Sequence, residues 1–387
     1  MPALSILGII VDFPYEPYEC QTLFMSKVIE AVGEMKNAVL ESPTGTGKTL
    51  CLLCGALAYV KDVKSKLSFN SVGEIKNSSG TTSRRLYPRI IYASRTHGQL
   101  QQVVRELNKT VYRDVKTVTL ASRDILCINE SVQKLAGTLN KSVMCRNLVK
   151  KRRCRFYVQY ESMTVEGFSR VFDDSKGFVP DIEDLLEASR KHGLCPFYQT
   201  RSAYATADLV LLPYNYILDP KLRKINEIDI HGDIIIFDEA HNLESICEEA
   251  MSVDFSTTNL SGCISETKSA LELVLEDEEA IRTEKDNTST SFTAAENELK
   301  NSRTELNKND VASLLVILQR LEEVIDAFKQ SKTECKILSN NIGRLYPALT
   351  LIDLLGEARI GWNNHEEISL LIDRICLYIS EKGSSHY

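Results

Sequence analysis

The sequence predicts an α/β fold in which a parallel β-sheet is covered by helices on both faces. Three apolar runs rich in β-branched residues indicate the strands: 89–94, 207–215 and 233–241. Segments with helical spacing separate them, and strands buried on both faces of a sheet typically form near-continuous apolar runs. We therefore expect strands and helices to alternate over the first 250 residues, with one insertion at 127–195.

The composition is that of a folded globular protein. The chain has 387 residues, of which 43% are hydrophobic and 26% charged, enough for two or three domain-sized units. The net charge of −7 argues against a uniformly basic nucleic-acid coat but permits a local basic groove. No apolar run is long enough to span a bilayer, so no membrane partner is expected. Eleven cysteines without a secretory leader indicate a reducing compartment, where clustered cysteines bind metal or are buried.

The stretch SPTGTGKT at 42–49 is a glycine-rich turn that leads into a helix. Apolar residues 38–40 precede it and predict a buried strand. Glycines let backbone N–H groups close around phosphate oxygens, and a helix N-terminus adds partial positive charge. Lys48 could then reach the β- and γ-phosphates, while the Thr49 hydroxyl could ligate Mg²⁺.

This phosphate-loop pattern departs from its usual form at one position. Its first residue, normally glycine, is Ser42, whereas the two glycines nearest the lysine are present. An ordinary glycine-rich turn remains the simpler alternative, because single motif matches carry a false-positive risk. The residues predicted to surround the nucleotide phosphates are Ser42, Pro43, Thr44, Gly45, Thr46, Gly47, Lys48 and Thr49.

Two adjacent carboxylates, Asp238 and Glu239, follow the last apolar run. The carboxyl ends of parallel strands are where open sheets place ligands. Asp238 is suited to the Mg²⁺ shell, and Glu239 is suited to position and deprotonate an attacking water. The alternative is an acidic pair that merely caps a strand. The phosphate loop about 190 residues upstream makes a shared nucleotide site the better interpretation.

Four cysteines lie in the segment that interrupts the alternation of strands and helices: Cys127, Cys145, Cys154 and Cys195. No two of them have the C-x-x-C spacing usual in zinc fingers. Pro196 follows the last cysteine, as at one end of the bacterial ferredoxin pattern. Spacing alone leaves buried free thiols as an equal alternative, and a four-cysteine zinc site is also possible.

A basic run surrounds Cys154, and two aromatic residues follow it. Cations that neutralise phosphates beside rings that stack on bases fit a groove for single-stranded nucleic acid. A solvated basic face is the alternative. The run contains Lys151, Arg152, Arg153 and Arg155, followed by Phe156 and Tyr157.

Beyond residue 250 the strand patterns stop. Asp310 is predicted to cap a helix whose apolar stripe begins at Val311, and the stripe is more typical of a domain core than of a partner-binding surface. Residues 337–381 are also predicted to be helical. The polar segments 61–87 and 276–308 are predicted to be a surface loop and a partly disordered region.

Together these motifs resemble those of the iron–sulfur, DEAH-type superfamily 2 DNA helicases related to XPD. The resemblance is specific over residues 1–250 and only compositional beyond them. It rests on the four cysteines and on the motifs VDFP at 11–14, ESPTGTGKTLCLLC at 41–54, IYASRTH at 91–97, PYNY at 213–216 and FDEAHN at 237–242.

The resemblance implies specific roles for these residues. It implies that Tyr18 and Gln21 contact adenine, that Thr49 and Asp238 bind Mg²⁺, and that the four cysteines hold a [4Fe–4S] cluster. The implied catalytic residues are Lys48, Asp238, Glu239 and His241. The implied DNA contacts, together with the basic run, are Ser94, Arg95, Thr96, Asn215 and Tyr216.

The resemblance also implies how the chain is divided and what it does. Residues 1–122 and 201–250 would form a RecA-like motor domain, 123–200 an inserted iron–sulfur domain, and 251–387 part of a helical arch domain. The implied activity is that of an ATP-dependent DNA helicase. It would act on single-stranded DNA, junctions or duplex ends, in genome and telomere maintenance in the nucleus.

The chain departs from the family after residue 250. Neither a Ser-Gly-Thr motif III nor an arginine-bearing motif VI is found there, so a second motor domain is expected to be absent. An arginine finger is worth about 10³–10⁵ in rate in related systems. We therefore expect this chain alone to bind nucleotide weakly and not to unwind DNA.

Two alternative functions remain. One is a truncated, non-catalytic form that binds nucleic acid or a partner. The other is a P-loop kinase or transporter-type ATPase, against which the FDEAH motif and the cysteines argue.

Overall fold

The computed structural model describes seven stretches of the chain: 3–70, 86–163, 178–287, 306–329, 335–337, 343–347 and 349–383. The chain divides into two compact units, Met1–Ser252 and Val253–Tyr387. Among the helices within the described stretches, none is long and apolar enough to cross a membrane.

The first unit contains six described strands and twelve described helices. Its strands are β1 (Ala3–Ile6), β2 (Ile9–Asp12), β3 (Ile90–Ser94), β4 (Thr117–Thr119), β5 (Leu209–Pro213) and β6 (Ile234–Phe237). Its helices are α1 (Glu19–Gly33), α2 (Lys48–Asn70), α3 (His97–Asn108), α4 (Arg123–Leu126), α5 (Glu130–Gln133), α6 (Thr138–Lys150), α7 (Arg155–Ser162), α8 (Ile182–His192), α9 (Pro196–Tyr204), α10 (Asn215–Leu218), α11 (Pro220–Ile225) and α12 (Leu243–Met251).

A four-stranded parallel sheet with the order β4-β5-β3-β6 lies at the centre of this unit. Tyr92 in β3 is in register with Leu211 in β5 and Ile236 in β6. Parallel strands need long crossover connections, and α3 joins β3 to β4 while α4–α9 separate β4 from β5. This register places the carboxyl ends of β3, β5 and β6 together.

Both faces of the sheet are buried, as the sequence predicts. Alternate side chains of a strand point to opposite faces. On one face, Tyr92 and Leu211 pack in the core that contains helices α1, α2 and α3. On the other face, Ala93 and Leu212 pack with Ile217 of α10. The α/β fold and the parallel sheet are therefore confirmed.

The strand predicted at 38–40, before the phosphate loop, is wrong. Residues 36–43 have no regular secondary structure, and the Val39 side chain is 99% exposed. Helix α1 ends in a turn with Met35 in the left-handed region, and the chain then runs directly to the loop. Three apolar residues are fewer than a typical strand contains, so they do not specify a strand without a pairing partner.

Two further segments differ from their predicted structures. The stretch 5–12, whose loose alternation of apolar residues predicts one short strand, lies in an antiparallel hairpin, β1–β2, whose turn residues Leu7 and Gly8 both have positive φ. The polar stretch 61–70 is not a loop but continues α2, while 71–85 lies outside the described residues. Polar residues on the exposed face of a long helix look like a loop in sequence, because only the opposite face is apolar.

The second unit is mainly helical, with one short hairpin that the sequence analysis does not predict. Its elements are α13 (Thr257–Asn287), α14 (Lys308–Lys329), β7 (Lys336–Ile337), β8 (Arg344–Leu345), α15 (Leu349–Glu357) and α16 (His365–Gly383). The strands therefore do not stop at residue 250, since β7 and β8 pair antiparallel.

The apolar stripe of α14 forms the core of the second unit, as predicted. Val311 and Leu314 are buried against Val274 of α13 and Ile375 of α16. The predicted cap at Asp310 is wrong, because α14 begins at Lys308 and the Asn307 side chain accepts from the N–H of residue 309. Of the segment predicted to be partly disordered, 276–287 is helical and 288–305 lies outside the described residues.

Candidate nucleotide site and cysteine-lined cavity

The phosphate loop is a closed turn held by its own side chains. Gly45 and Gly47 have φ values of 82° and 71°, in the region that favours glycine. The Ser42 and Thr46 hydroxyls hydrogen-bond each other at 2.6 Å, and Thr46 also donates to the Pro43 carbonyl at 2.8 Å. Ser42, the departure from the usual pattern, therefore stabilises the loop through a bond that glycine could not make.

Helix α2 begins directly after the loop, so its first N–H groups border the loop. The first N–H groups of a helix have no partner within the helix, which makes a helix N-terminus a suitable anion site. Lys48 is the first residue of α2, and its ammonium donates to the Ser42 carbonyl at 3.1 Å. The positive charge therefore lies against the loop, where a phosphate would bind.

The N-terminus of α1 is connected to the phosphate loop through Gln21. The Gln21 side-chain amide donates to the Thr46 carbonyl at 3.0 Å, and its oxygen accepts from the Tyr18 N–H at 2.9 Å. A Cβ at Gly47 would lie 3.2 Å from that amide nitrogen, so the two parts pack tightly. The Tyr18 ring is exposed. The adenine contacts of both residues remain predictions.

The structure brings Thr49 and Asp238 together through a residue that the sequence analysis does not assign, Tyr92. The Tyr92 hydroxyl donates to the Asp238 carboxylate at 2.9 Å, and the Thr49 side chain is a second hydrogen-bonding neighbour. Burial, and then the Asp238 charge, raises the pKa of Tyr92 well above its usual value. Tyr92 therefore stays protonated and continues to donate at neutral pH.

Asp238 owes its position to the sheet. Its N–H donates to the Ala93 carbonyl at 3.0 Å, which continues the β3–β6 ladder by one residue. The neighbouring Tyr214, just after β5, is buried, and its hydroxyl has no hydrogen-bond partner among the described residues. Burial, followed by the charges of Asp238 and Glu239, raises the pKa of Tyr214 to about 12. Two protonated tyrosines thus lie beside the acidic pair.

A chain of hydrogen bonds runs from Glu239 towards the predicted DNA-contacting segment. His241 Nδ1 lies 3.3 Å from Glu239 Oε2, and His241 Nε2 lies 3.0 Å from Asn242 Nδ2. Arg95 donates to Asn242 Oδ1 at 2.9 Å. These contacts are mutually consistent if His241 is neutral, with its Nδ1–H donating to Glu239 and its Nε2 accepting from Asn242. The motifs did not predict that the Asn242 side chain would connect His241 to Arg95.

Glu239 itself has an unusual backbone conformation. Its φ of 58° and ψ of 45° place it in the left-handed region, which non-glycine residues rarely adopt. Such conformations are concentrated at functional sites, where the surrounding structure holds them. Glu239 lies two residues after the end of β6. Its left-handed conformation turns the backbone there and separates the Asp238 and Glu239 carboxylates at the edge of the sheet.

The predicted DNA contacts fall into exposed and internal groups. Ser94 is buried, and its hydroxyl donates to Gln99 at 2.8 Å. Tyr216 is also buried, beside the Arg201 guanidinium. Arg95, Thr96 and Asn215 are more exposed, so they are the members of this set that can contact a nucleic acid directly.

The four predicted cysteine ligands line one cavity. Cys127 follows α4, Cys145 lies within α6, and Cys154 and Cys195 directly precede α7 and α9. A helix N-terminus favours a thiolate. Burial raises the pKa of Cys195 to about 12 and also raises the pKa of Cys127 above its usual value. Within the described stretches, no three His, Cys, Asp or Glu side chains converge closely enough to hold a single metal ion.

Hydrogen-bond donors surround the sulfur atoms of this cavity. The Asn129 side-chain amide lies 3.6 Å from Cys154 Sγ, and Cys195 lies at the N-terminus of α9, where the first backbone N–H groups have no partner within the helix. Arg123 also lines the cavity, and its Nε has no hydrogen-bond partner among the described residues. Four thiols, N–H donors and a nearby cation are a suitable environment for an anionic iron–sulfur group.

The basic run forms the exposed turn between α6 and α7, next to this cavity. Arg152 has a φ of 51° and forms an ion pair with Glu161 at 2.7 Å. The Arg155 guanidinium lies 4.6 Å from the centroid of the Phe156 ring. Lys151 and Arg153 are also exposed. Positive charge and a half-buried aromatic ring therefore lie close together beside the cavity.

Two family models match consecutive parts of the chain. The model described as DEAD_2 matches residues 92–260, and the model described as RTEL1 helicase, ARCH domain, matches residues 262–387. Regulator of telomere elongation helicase 1 homolog from Caenorhabditis elegans is 39% identical over 380 residues, which are 96% of this chain. Regulator of telomere elongation helicase 1 from Mus musculus is 36% identical over 399 residues, which are 98% of this chain.

Over nearly its whole length, the chain is similar to the regulator of telomere elongation helicases. The predicted resemblance to a helicase family is thereby confirmed. The chain spans 38% of the Caenorhabditis elegans relative and 31% of the mouse relative. The solved structure titled "Truncated XPD" is 18% identical with a TM-score of 0.43, and the match covers 87% of this chain and 74% of that one. Another, "XPD_Helicase", is 18% identical with a TM-score of 0.44, covering 95% and 51%.

Proposed function

We propose that this chain is the ATP- and DNA-binding part of an ATP-dependent DNA helicase. The observation that carries the proposal is the convergence of two distant motifs on one hydroxyl. Thr49 from the phosphate loop and Asp238 from the end of β6 both contact Tyr92. A phosphate loop together with an acidic pair is the arrangement that phosphoanhydride hydrolysis requires.

The phosphate loop and α2 bind the nucleotide phosphates in this proposal. N–H groups of the loop and of the helix N-terminus donate to the phosphate oxygens, and Lys48 neutralises the β- and γ-phosphates. A bound Mg²⁺ would supply further charge neutralisation. Oxygen donors are what this ion prefers, and Thr49 and Asp238 are the residues here that fit it.

Glu239 is the proposed general base. Its carboxylate would accept a proton from the water that attacks the γ-phosphate. His241, whose Nδ1 lies 3.3 Å from Glu239 Oε2, orients that carboxylate. Because Asn242 links His241 to Arg95, a DNA phosphate bound at Arg95 could change the position of the base. This connection is a physical route by which DNA would influence hydrolysis.

The nucleic-acid interface is proposed to combine Arg95 and Thr96 with the basic run near Cys154. The cations would bind backbone phosphates, and Phe156 would stack on a base. A [4Fe–4S] cluster held by the four cysteines would fix the position of this basic run, because Cys154 lies within it. In this role the cluster would stabilise the fold through its bonds to the cysteine thiolates.

The experiment is ATP turnover by the 387-residue chain with and without single-stranded DNA, at excess enzyme so that slow hydrolysis is detectable. We expect DNA to stimulate turnover, and Glu239→Gln to abolish turnover while nucleotide binding is retained. Glu244→Gln, an acidic residue on α12, is the matched control and should hydrolyse ATP normally. DNA binding without Glu239-dependent turnover would support a non-catalytic binding module instead.

The biological setting is proposed from the relatives alone. Their name indicates a role in regulating telomere elongation, and we propose that this chain acts in the same process in the nucleus. A fluorescent fusion of the full-length gene product tests the location. Cytoplasmic fluorescence throughout the cell cycle would contradict it.

A further inference from the structure

Tyr92 is a polar exception in an apolar part of the core. It is fully buried, and the core residues around it on the same face of the sheet are Ile90, Leu209, Leu211 and Ile236. A buried phenol hydroxyl costs free energy unless it has a hydrogen-bond partner, so an apolar residue would fill this position more simply. The hydroxyl is paired with Asp238 at 2.9 Å.

The hydroxyl lies where three elements meet. Tyr92 belongs to the central strand β3, Asp238 follows the neighbouring strand β6, and Thr49 lies in the first turn of α2. Tyr92 donates to Oδ2 of Asp238 and has the Thr49 side chain as its other hydrogen-bonding neighbour. A single rigid side chain therefore neighbours both proposed Mg²⁺ ligands and is hydrogen-bonded to one of them, Asp238.

The pairing also restricts the rotation of the carboxylate. With Oδ2 held by Tyr92, the orientation of Oδ1 is set as well. Groups that hold metal ligands in place typically contribute 10–100-fold to metal affinity, even though they do not touch the metal. The tyrosine ring is packed on all sides, so it can hold this geometry without losing conformational freedom when a ligand binds.

We propose that Tyr92 is a positioning residue for the divalent cation of the nucleotide site: its hydroxyl presets Thr49 and Asp238 at one point, so that a metal–nucleotide complex meets both ligands in place. This inference rests on the proposed function, because it concerns the same site. It assigns to β3 a role in metal binding, in addition to its role in the sheet.

The test compares Tyr92→Phe with the wild-type chain and measures binding rather than activity. Binding of a fluorescent ADP analogue is titrated with Mg²⁺, and separately measured in EDTA. We expect the Mg²⁺ concentration for half-maximal enhancement of binding to rise by about tenfold. Affinity in EDTA should be unchanged, because Tyr92 does not touch the nucleotide in this proposal.

Tyr87→Phe is the matched control. The Tyr87 hydroxyl donates to Asp208 at 3.2 Å, so this variant also removes a tyrosine–aspartate bond. Asp208 directly precedes β5, at the opposite end of the strands from Asp238. The control variant should therefore show the wild-type Mg²⁺ dependence.

Each outcome distinguishes the inference from the proposed function. If Lys48→Ala abolishes analogue binding but Tyr92→Phe keeps the wild-type Mg²⁺ midpoint, the nucleotide site stands and the role of Tyr92 is refuted. If Lys48→Ala binds the analogue as tightly as wild type, the proposed function itself fails. If Tyr92→Phe unfolds while Tyr87→Phe folds, the hydroxyl serves the core rather than the metal, and the inference is overturned.

Discussion

Single side chains outside the phosphate-loop motif hold the loop in the conformation that would bind nucleotide. Gln21 uses both ends of its amide, one on the Thr46 carbonyl and one on the Tyr18 N–H. The loop is therefore tied to the start of α1 before any nucleotide is present. Nucleotide binding costs less conformational entropy when the loop is already ordered.

Replacing Gln21 with alanine should weaken nucleotide binding by about fivefold, because one net hydrogen bond contributes roughly 1 kcal/mol. Equilibrium titration with a fluorescent nucleotide measures this effect. Gln102→Ala is the control, since Gln102 bonds only Glu106 on the exposed face of α3. An affinity equal to that of wild type would show that the amide does not hold the loop.

At this scale the sequence predicts the residues of the motifs but not the contacts between them. Lys48, Thr49 and Asp238 were predicted to share a site, and the structure places Thr49 and Asp238 beside the same hydroxyl. Tyr92 was not predicted, because a tyrosine in an apolar strand looks like an ordinary core residue. Its hydrogen-bond partner, Asp238, lies 146 residues further along the chain, so no local sequence pattern indicates the contact.

At the scale of elements, one buried ion pair fastens β3 to β6 at the end opposite the nucleotide site. Arg89 forms this pair with Asp233, and both side chains are almost fully buried. The guanidinium also contacts the Asp229 carbonyl and lies 4.2 Å from the Tyr204 ring centroid. The strand ends that carry Tyr92 and Asp238 therefore depend on a bond at the other end of the same strands.

Arg89→Ala should destabilise the first unit by about 3–5 kcal/mol, because it leaves the Asp233 carboxylate buried without its partner. Urea denaturation followed by circular dichroism measures the loss. Lys27→Ala, which breaks an exposed pair with Glu30, is the control and should leave the midpoint unchanged. A loss no larger than that of the control would refute the role of the pair.

Helix α14 offers a test of its buried stripe with one residue type. Val311 is fully buried and Val316 is 58% exposed on the same helix. Val311→Ala should cost roughly 2 kcal/mol through lost burial and a cavity, whereas Val316→Ala should be nearly neutral. Thermal unfolding of the second unit measures both. Equal effects would show that the stripe is not the core.

Elements with long apolar patterns were predicted well, and short ones were not. Strands β3, β5 and β6 lie close to their predicted positions. The strand predicted at 38–40 does not form, because three apolar residues specify no partner. The cap of α14 was placed at Asp310 rather than Asn307, since both residues suit a cap and only backbone geometry distinguishes them.

At the scale of the whole molecule, the cysteine cavity joins parts of the chain that are far apart in sequence. Its four cysteines span 69 positions, from Cys127 to Cys195, within the insertion between β4 and β5. A group bound to all four would constrain α4, α6, α7 and α9 at once. Because burial raises the pKa values of Cys127 and Cys195, binding such a group through their thiolates should release protons.

Protein purified without oxygen should therefore be brown and contain about four irons per chain. Cys195→Ser should lose the colour and the iron, and should unfold at a lower temperature. Cys247→Ser, an exposed cysteine outside the cavity, is the control and should retain both. A colourless protein with one zinc would indicate a tetrahedral four-cysteine site instead.

The sequence predicted which cysteines belong together, but not how they are arranged. Their irregular spacing left buried thiols and zinc open, because spacing does not report distance. The fold decides that all four line one cavity. The resemblance implied a boundary between residues 250 and 251, and the three-dimensional contacts divide the chain after Ser252.

The central claim is that the phosphate loop and Asp238 form a site for Mg²⁺ and ATP. Isothermal titration of the wild-type chain with Mg²⁺ and ATP tests it most directly. We expect one nucleotide per chain, at least about tenfold weaker binding for Lys48→Ala because a charge-assisted contact is lost, and wild-type affinity for the surface control Lys36→Ala. No saturable binding by the wild-type chain, or equal affinity in the Lys48→Ala variant, would contradict the claim.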